Sequence, residues 1–136
     1  MEGPALIVLD THVWIWWVAS PEQLSPEAER AIAASVRGGG VYVSSISCWE
    51  VAMLVKNGRL RLTLSTGEWV ARSVALPFLH FVPVDNQVYL RSVDLSGPLH
   101  DDPADRVIVA TALSLGMPLV TKDRRLQGYP HLETIW

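Results

Sequence analysis

Ala5-Leu6-Ile7-Val8-Leu9 is apolar without a break and stops at an acid, Asp10. A strand with one wet face alternates apolar with polar residues, so an unbroken run fits a strand buried on both faces. Val41-Tyr42-Val43, Phe81-Val82-Pro83-Val84 and Pro118-Leu119-Val120 repeat the pattern, and Thr134-Ile135-Trp136 is a weaker fifth. Pro83 cannot donate to a ladder, which puts the Phe81–Val84 run at an edge or makes it irregular. Helical patterns fill the intervals. Thr11 to Ala19 stops before Pro21, and Ser25-Pro26-Glu27 caps a helix that reaches Val36 and ends at Gly38-Gly39-Gly40. Ser47 to Asn57 is closed by Gly58, Glu68 to Leu76 and Asn86 to Val93 follow, and Asp102-Pro103 opens a helix that runs to Leu115 and Gly116. Leu95 to Asp101 reads as a long irregular loop.

Strands alternating with helices imply an α/β domain: a mainly parallel central sheet of four to five strands, flanked by helices, with right-handed crossovers. The 136 residues suit a single domain, 1–136, and at 49% hydrophobic and 18% charged the chain can bury a core without staples. Its one cysteine, Cys48, excludes an internal disulfide and a Cys-rich zinc site, and reads as a small buried hydrophobe. The apolar stretch Leu6 to Ala19 is too short for a bilayer and is interrupted by Asp10 and His12. Glu2 and the lack of a basic leader argue against secretion, so the cytoplasm is the expected compartment.

Four acids from remote segments converge on one edge of such a sheet. Asp10 follows the first strand and Asp123 follows Leu119-Val120-Thr121, so both lie at strand C-terminal ends, where open parallel sheets bind ligands. Glu50 sits in the first turn of the helix after Val41–Val43, and Asp105 in the first turn of the helix that feeds Leu119. The Glu50 helix carries Ile46, Trp49, Val51, Met53, Leu54 and Val55, apolar nearly all round, and so is expected to be buried. Local roles exist for each acid. Ser47 and Glu50 have capping-box spacing, Asp102 and Asp10 fit N-caps, Asp105 favours a helix dipole, and Asp123 fits a turn. Gathered at one edge, however, four like charges repel unless a cation lies among them. Oxygen ligands without a Cys or His array favour Mg²⁺ or Mn²⁺, which suit displacement at phosphorus.

The net charge of −3 is unlike that of a protein that binds nucleic acid by bulk charge, but bound metal offsets acids counted as −1 each. Lys56, Arg59 and Arg61 follow the Glu50 helix, Arg106 adjoins Asp105, and Lys122, Arg124 and Arg125 flank Asp123. Of these, Arg106, Lys122 and Arg124 are the candidates to grip backbone phosphates. His12, His80, His100 and His131 lack ligand spacing and read as structural or surface residues. Trp14, Trp16 and Trp17 cannot all face one core stripe, which leaves at least one for an interface.

The chain resembles the PIN-domain nucleases, specifically the VapC-type toxins of bacterial toxin–antitoxin pairs. The resemblance rests on Val8-Leu9-Asp10-Thr11-His12-Val13-Trp14, Ser44-Ser45-Ile46-Ser47-Cys48-Trp49-Glu50-Val51, His100-Asp101-Asp102-Pro103-Ala104-Asp105-Arg106 and Val120-Thr121-Lys122-Asp123, in that order over nearly the whole chain. It implies a PIN-like three-layer fold and an RNA endonuclease that leaves a 5′-phosphate. The implied metal-holding quartet falls on Asp10, Glu50, Asp105 and Asp123, with Asp102, Thr11 and Thr121 supporting it. The implied partners are an RNA substrate, a cognate antitoxin and a second copy of the chain. Ala104 stands where these toxins often carry an aromatic residue, and Asp101 where they often carry a basic one.

Rival chemistries fit less well. A haloacid-dehalogenase-type phosphohydrolase wants a second acid two residues after Asp10, where this chain has His12. A receiver module wants paired acids by the first strand. No G-x-G-x-x-G or Walker lysine motif is present. A non-catalytic PIN-like RNA- or protein-binding module is the remaining alternative, and the presence of all four acids argues against it.

Overall fold

The computed structural model describes residues 5–136; the expectation drawn at Glu2 lies outside them. The elements run β1 (Val8–Leu9), α1 (Thr11–Ala19), α2 (Pro26–Arg37), β2 (Val41–Ser44), α3 (Ile46–Lys56), α4 (Thr66–Val74), β3 (Leu79–Val82), α5 (Asn86–Val93), α6 (Pro103–Leu115), β4 (Leu119–Val120), α7 (Arg124–Gln127) and β5 (Thr134–Ile135). The strands form one sheet in the order β3-β2-β1-β4-β5, and each neighbouring pair is parallel. The expected α/β architecture is therefore the observed one.

The pleat sorts the sheet's side chains between two helical layers. Ile7, Leu9, Val41, Val43 and Val120 face the core built with Val13 and Trp14 of α1, Ile32 of α2, Val51 of α3 and Trp69 of α4. Their neighbours Val8 and Leu119 point the other way, onto Ile108, Val109 and Ala112 of α6. One residue of slip in β1 would exchange these two sets, so the register is tightly specified. Trp14 is fully buried and stacks obliquely on Trp69, with ring centroids 4.8 Å apart.

Local chemistry sets the helix ends. Ser25 Oγ accepts from the Ala28 N–H at 3.0 Å, and Pro26 occupies the first helical position of α2. Gly40 then turns the chain into β2 with φ near 128°, where a Cβ would lie 2.5 Å from the Phe78 carbonyl oxygen. Gly116, left-handed at φ 66°, closes α6.

Three expectations need correction. The fourth strand lies at Leu79–Val82, not Phe81–Val84, because Val41 to Ser44 pair with Leu79 to Val82 and Pro83 falls just past the ladder; it is indeed an edge strand. The helix expected from Glu68 starts at Thr66, capped by Ser65, and ends at Val74. The all-apolar helix α3 is not buried all round: Ser47 and Val51 face inward, while Trp49 is 55% exposed. The α7 turn was not legible in the sequence pattern.

Candidate metal centre

From β1 the chain winds outward through β2 to β3, then returns to the other side of β1 to lay down β4 and β5. That reversal opens a crevice beyond the C-terminal ends of β1 and β4, where neighbouring connections lead away from each other. Asp10 follows β1 there, and Thr121 and Asp123 follow β4.

Asp10 caps α1 and is 8% exposed. Its Oδ1 accepts from the Thr11 N–H at 2.9 Å, and its Oδ2 accepts from the Thr121 hydroxyl at 2.7 Å. Burial lifts its pKa from 3.8 to about 6 against the pull of the Thr121 bond, and the charge of Asp105 adds to the rise. The fully buried Thr121 Oγ1 also accepts from the Asp123 N–H at 3.1 Å, so one hydroxyl couples the acids of two strands.

Glu50 arrives from α3. Its Oε1 accepts from the Thr11 hydroxyl at 2.5 Å, and Thr11 Oγ1 in turn lies 2.7 Å from Ser47 Oγ. Thr11 has one hydroxyl proton, so with that proton on Glu50 the buried Ser47 donates to Thr11. The capping-box reading of Ser47 and Glu50 fails, because α3 begins at Ile46 and Ser47 is already inside it. For the same reason Glu50 lies one residue beyond the first turn. Burial raises Glu50 to about 7, opposed by the Thr11 bond and reinforced by the charges of Asp10, Asp105 and Asp102.

Asp105 is 8% exposed at the start of α6, whose N-cap Asp102 accepts from the Asp105 N–H at 2.9 Å. His100 Nε2 lies 2.7 Å from Asp105 Oδ2. An Nε2–H donated there leaves the buried Nδ1 without a partner. Burial raises the Asp105 carboxyl, the His100 bond opposes this, and Asp102 adds to it. Asp123 differs. Its Oδ1 accepts from the Arg125 N–H at 2.8 Å, and Arg125 donates from its guanidinium to both carboxylate oxygens, which holds the carboxyl below its ordinary range.

Asp10, Glu50, Asp102, Asp105 and Asp123 line one cleft of about 550 Å³. Ligand atoms of His100, Asp105 and Asp123 lie within 4.8 Å of one another. The donor set is mainly carboxylate oxygen with one imidazole, and burial lifts two of its acids, Asp10 and Glu50, well above their ordinary pKa. Such a set fits a hard or borderline divalent cation.

The structure brings the four candidate acids to one cleft, together with Thr11 and Thr121 beside them, Asp102 at its rim and Lys122 in its wall. Arg106 and Arg124 do not join them. Arg106 donates to the carbonyls of Ser92, Val93, Leu99 and His100, which makes it a clamp on the loop before α6. Arg124 is absent from the cleft lining, and Arg125 stands where it was expected. Two residues read from the sequence in other roles also join the site: His100, expected to be structural or on the surface, and Ser47, expected to cap a helix. His100 lies five residues before Asp105 across a capped helix start, a spacing that returns a side chain to the first turn. A larger groove of about 980 Å³, lined by Ile46, Trp49, Tyr89 and Val93, is mostly apolar and lies apart from the Asp10, Glu50 and Asp123 carboxylates.

The PIN domain family model matches residues 7–132. The chain is 36% identical over 132 residues to Ribonuclease VapC22 of Mycobacterium tuberculosis (strain ATCC 25618 / H37Rv), covering 96% of this chain and 98% of that protein. Its fold matches VapBC2 from Rickettsia felis, solved bound to a promoter DNA fragment, with a TM-score of 0.68 at 14% identity over 95% of this chain and 96% of the other. It also matches a toxin–antitoxin complex from Klebsiella pneumoniae, with a TM-score of 0.62 at 23% identity over 92% and 93% of the two chains. With the family model spanning nearly the whole chain and a full-length relative sharing over a third of its residues, this protein belongs to the PIN-domain family.

Proposed function

We propose that the chain, acting as one PIN domain over 1–136, is a metal-dependent endoribonuclease and the toxin of a toxin–antitoxin pair. The observation that carries this reading is the cleft in which Asp10, Glu50, Asp105 and Asp123 meet at the topological switch of a parallel sheet. Its likeness to Ribonuclease VapC22 over nearly all of both chains supports RNA as the substrate. Asp10, Glu50 and Asp105 hold Mg²⁺ or Mn²⁺ and Asp123 completes the set. When bound, the cation activates water and stabilises the charge that develops on the leaving oxygen.

The chain's own residues prepare that site. Thr121 and the Thr11 N–H fix both oxygens of Asp10, each oxygen keeping a free lone pair for the ion. The Ser47–Thr11 relay orients Glu50, and His100 orients Asp105. Lys122 in the cleft wall gives the phosphate backbone a positive contact.

The partners follow from the same reading: an RNA substrate, a cognate antitoxin like that in the neighbouring complexes, and a second copy of the chain. Exposed Trp49 on α3 with Tyr89, Leu90 and Val93 on α5 supports self-association. No helix among the described residues is long and apolar enough to cross a membrane. A toxin that cuts the RNA of its own cell acts in the cytoplasm, which is the compartment that this reading assigns.

The test is cleavage of total cellular RNA by antitoxin-free protein with Mg²⁺ or Mn²⁺, beside an EDTA control and Asp10→Asn. Metal-dependent cutting that disappears in a folded Asp10→Asn supports the reading. Cutting that survives the substitution removes it.

A further inference from the structure

The cleft is not lined by acids alone: His12 and Trp16 of α1, with Lys122 and Arg59, line it as well. His12 and Trp16 are four residues apart and so share one face of α1, with ring centroids 5.8 Å apart. Trp16 is half-buried, and its ring centroid lies 5.9 Å from that of Trp136 in a tilted contact. Lys122 is exposed, and its Nζ lies 5.7 Å from the Trp16 ring centroid. The helix that carries both rings starts at the Asp10 cap, so the rings follow directly on one of the clustered acids.

We infer that His12 and Trp16, with Lys122, form a stacking subsite for an unpaired nucleobase of the RNA next to the scissile phosphate. This rests on the endoribonuclease reading and names the part of the site that holds the substrate's base. A chain of net charge −3 cannot draw RNA by bulk charge, so affinity must come from local cations and from contacts that carry no charge. Stacking on an aromatic face is such a contact, and proteins that hold single-stranded nucleic acid rely on it because every base has a π-face. An ammonium resting over the indole is a movable cover: it can pass to an adjacent phosphate as the base takes the ring. Trp14 is sealed in the core, whereas Trp16 packs on the core's edge and also opens onto the cleft beside the acids, which the equally half-buried Trp17 does not.

The experiment compares Trp16→Leu, Trp16→Phe and His12→Ala with wild type in Mn²⁺-dependent cleavage of a mixed-sequence single-stranded oligoribonucleotide. Mn²⁺ affinity is measured in parallel by calorimetry. Trp16→Leu is expected to raise KM about tenfold, within the range known for losing one stacked base. Trp16→Phe should recover most of that loss, His12→Ala should raise KM by a smaller factor, and Mn²⁺ affinity should hold in all three. An unchanged KM in folded Trp16→Leu overturns the subsite, as does an equal loss in Trp16→Phe. If Trp16→Leu does not fold, an unchanged KM in both Trp16→Phe and His12→Ala overturns it instead. An unchanged KM with lost antitoxin affinity overturns it too and assigns the wall to the protein partner. Wild type that cuts while the variants behave like it removes the subsite alone; wild type that cuts no RNA removes the nuclease reading and the subsite with it.

Discussion

Arg125 meets Asp123 fork to fork, with Nη2 2.9 Å from Oδ2 and Nε 3.2 Å from Oδ1, and the same Nη2 is 3.7 Å from Asp105 Oδ2. A side-chain cation thus answers the repulsion between two of the clustered acids, and it occupies oxygens that a metal ion would use. The planar guanidinium matches a carboxylate in this way as lysine cannot.

Removing that cation should favour the ion. Arg125→Gln takes the guanidinium off both Asp123 oxygens, leaving only the backbone N–H of residue 125 on Oδ1, and makes the cleft more negative, so Mn²⁺ should bind a few-fold tighter by calorimetry, with the gain shrinking at high salt. Weaker binding in the variant would show that Arg125 orients Asp123 for the ion rather than competing with it.

Arg106 should behave as a structural clamp. Its donors tie the end of α5 to the loop that delivers His100. Arg106→Met leaves several carbonyls without their charged donor and should cost about 2 kcal/mol or more in urea unfolding. A phosphate-gripping arginine gives the opposite pattern: unchanged stability, raised KM and a shallower salt dependence. That pattern would restore the role expected for Arg106 from the sequence.

The contrast shows what the sequence could carry. The acids were legible because their backbone positions decide the matter. A residue just past a parallel strand, or near the start of a crossover helix, lies at one edge of the sheet wherever its side chain turns. Partners of those acids were not legible, because they depend on direction around a turn. Arg124 and Arg125 are adjacent, and only the α7 turn, capped by Asp123 itself, decides which one folds back. His100 reaches Asp105 through a loop whose path is set by Arg106, a residue beyond it in sequence. The β3 shift has a similar cause: apolar Pro83 and Val84 extended the run in sequence, but pairing with β2 had already ended at Val82.

Thr121 offers a cleaner test of the site's architecture. Thr121→Val keeps the shape but removes the donor to Asp10 and the acceptor for the Asp123 N–H. The loss should be roughly 1–3 kcal/mol in chemical denaturation, since a buried carboxylate is left short of a partner. Thr121→Ser keeps both bonds and should retain Mn²⁺ affinity better than the valine variant. Equal affinity in the two would mean that the hydroxyl does nothing for the ion site.

The raised acids also fix a pH dependence. Folding lifts Asp10 from 3.8 to about 6 and Glu50 from 4.5 to about 7, so between those values the metal-free folded state holds more protons than the unfolded chain. Stability from these two groups is fully present below their unfolded pKa values and is lost as pH rises through the folded ones. The melting temperature of metal-free wild type should therefore fall relative to Asp10→Asn as pH rises from about 4 to about 7. Asparagine cannot ionise, so the variant lacks the Asp10 part of the slope. Saturating Mn²⁺ should restore wild type at the upper end, because a cation binds the ionised carboxylates of the folded state. Melting curves of wild type and Asp10→Asn that run parallel across this range would show that Asp10 ionises in the fold as freely as in water.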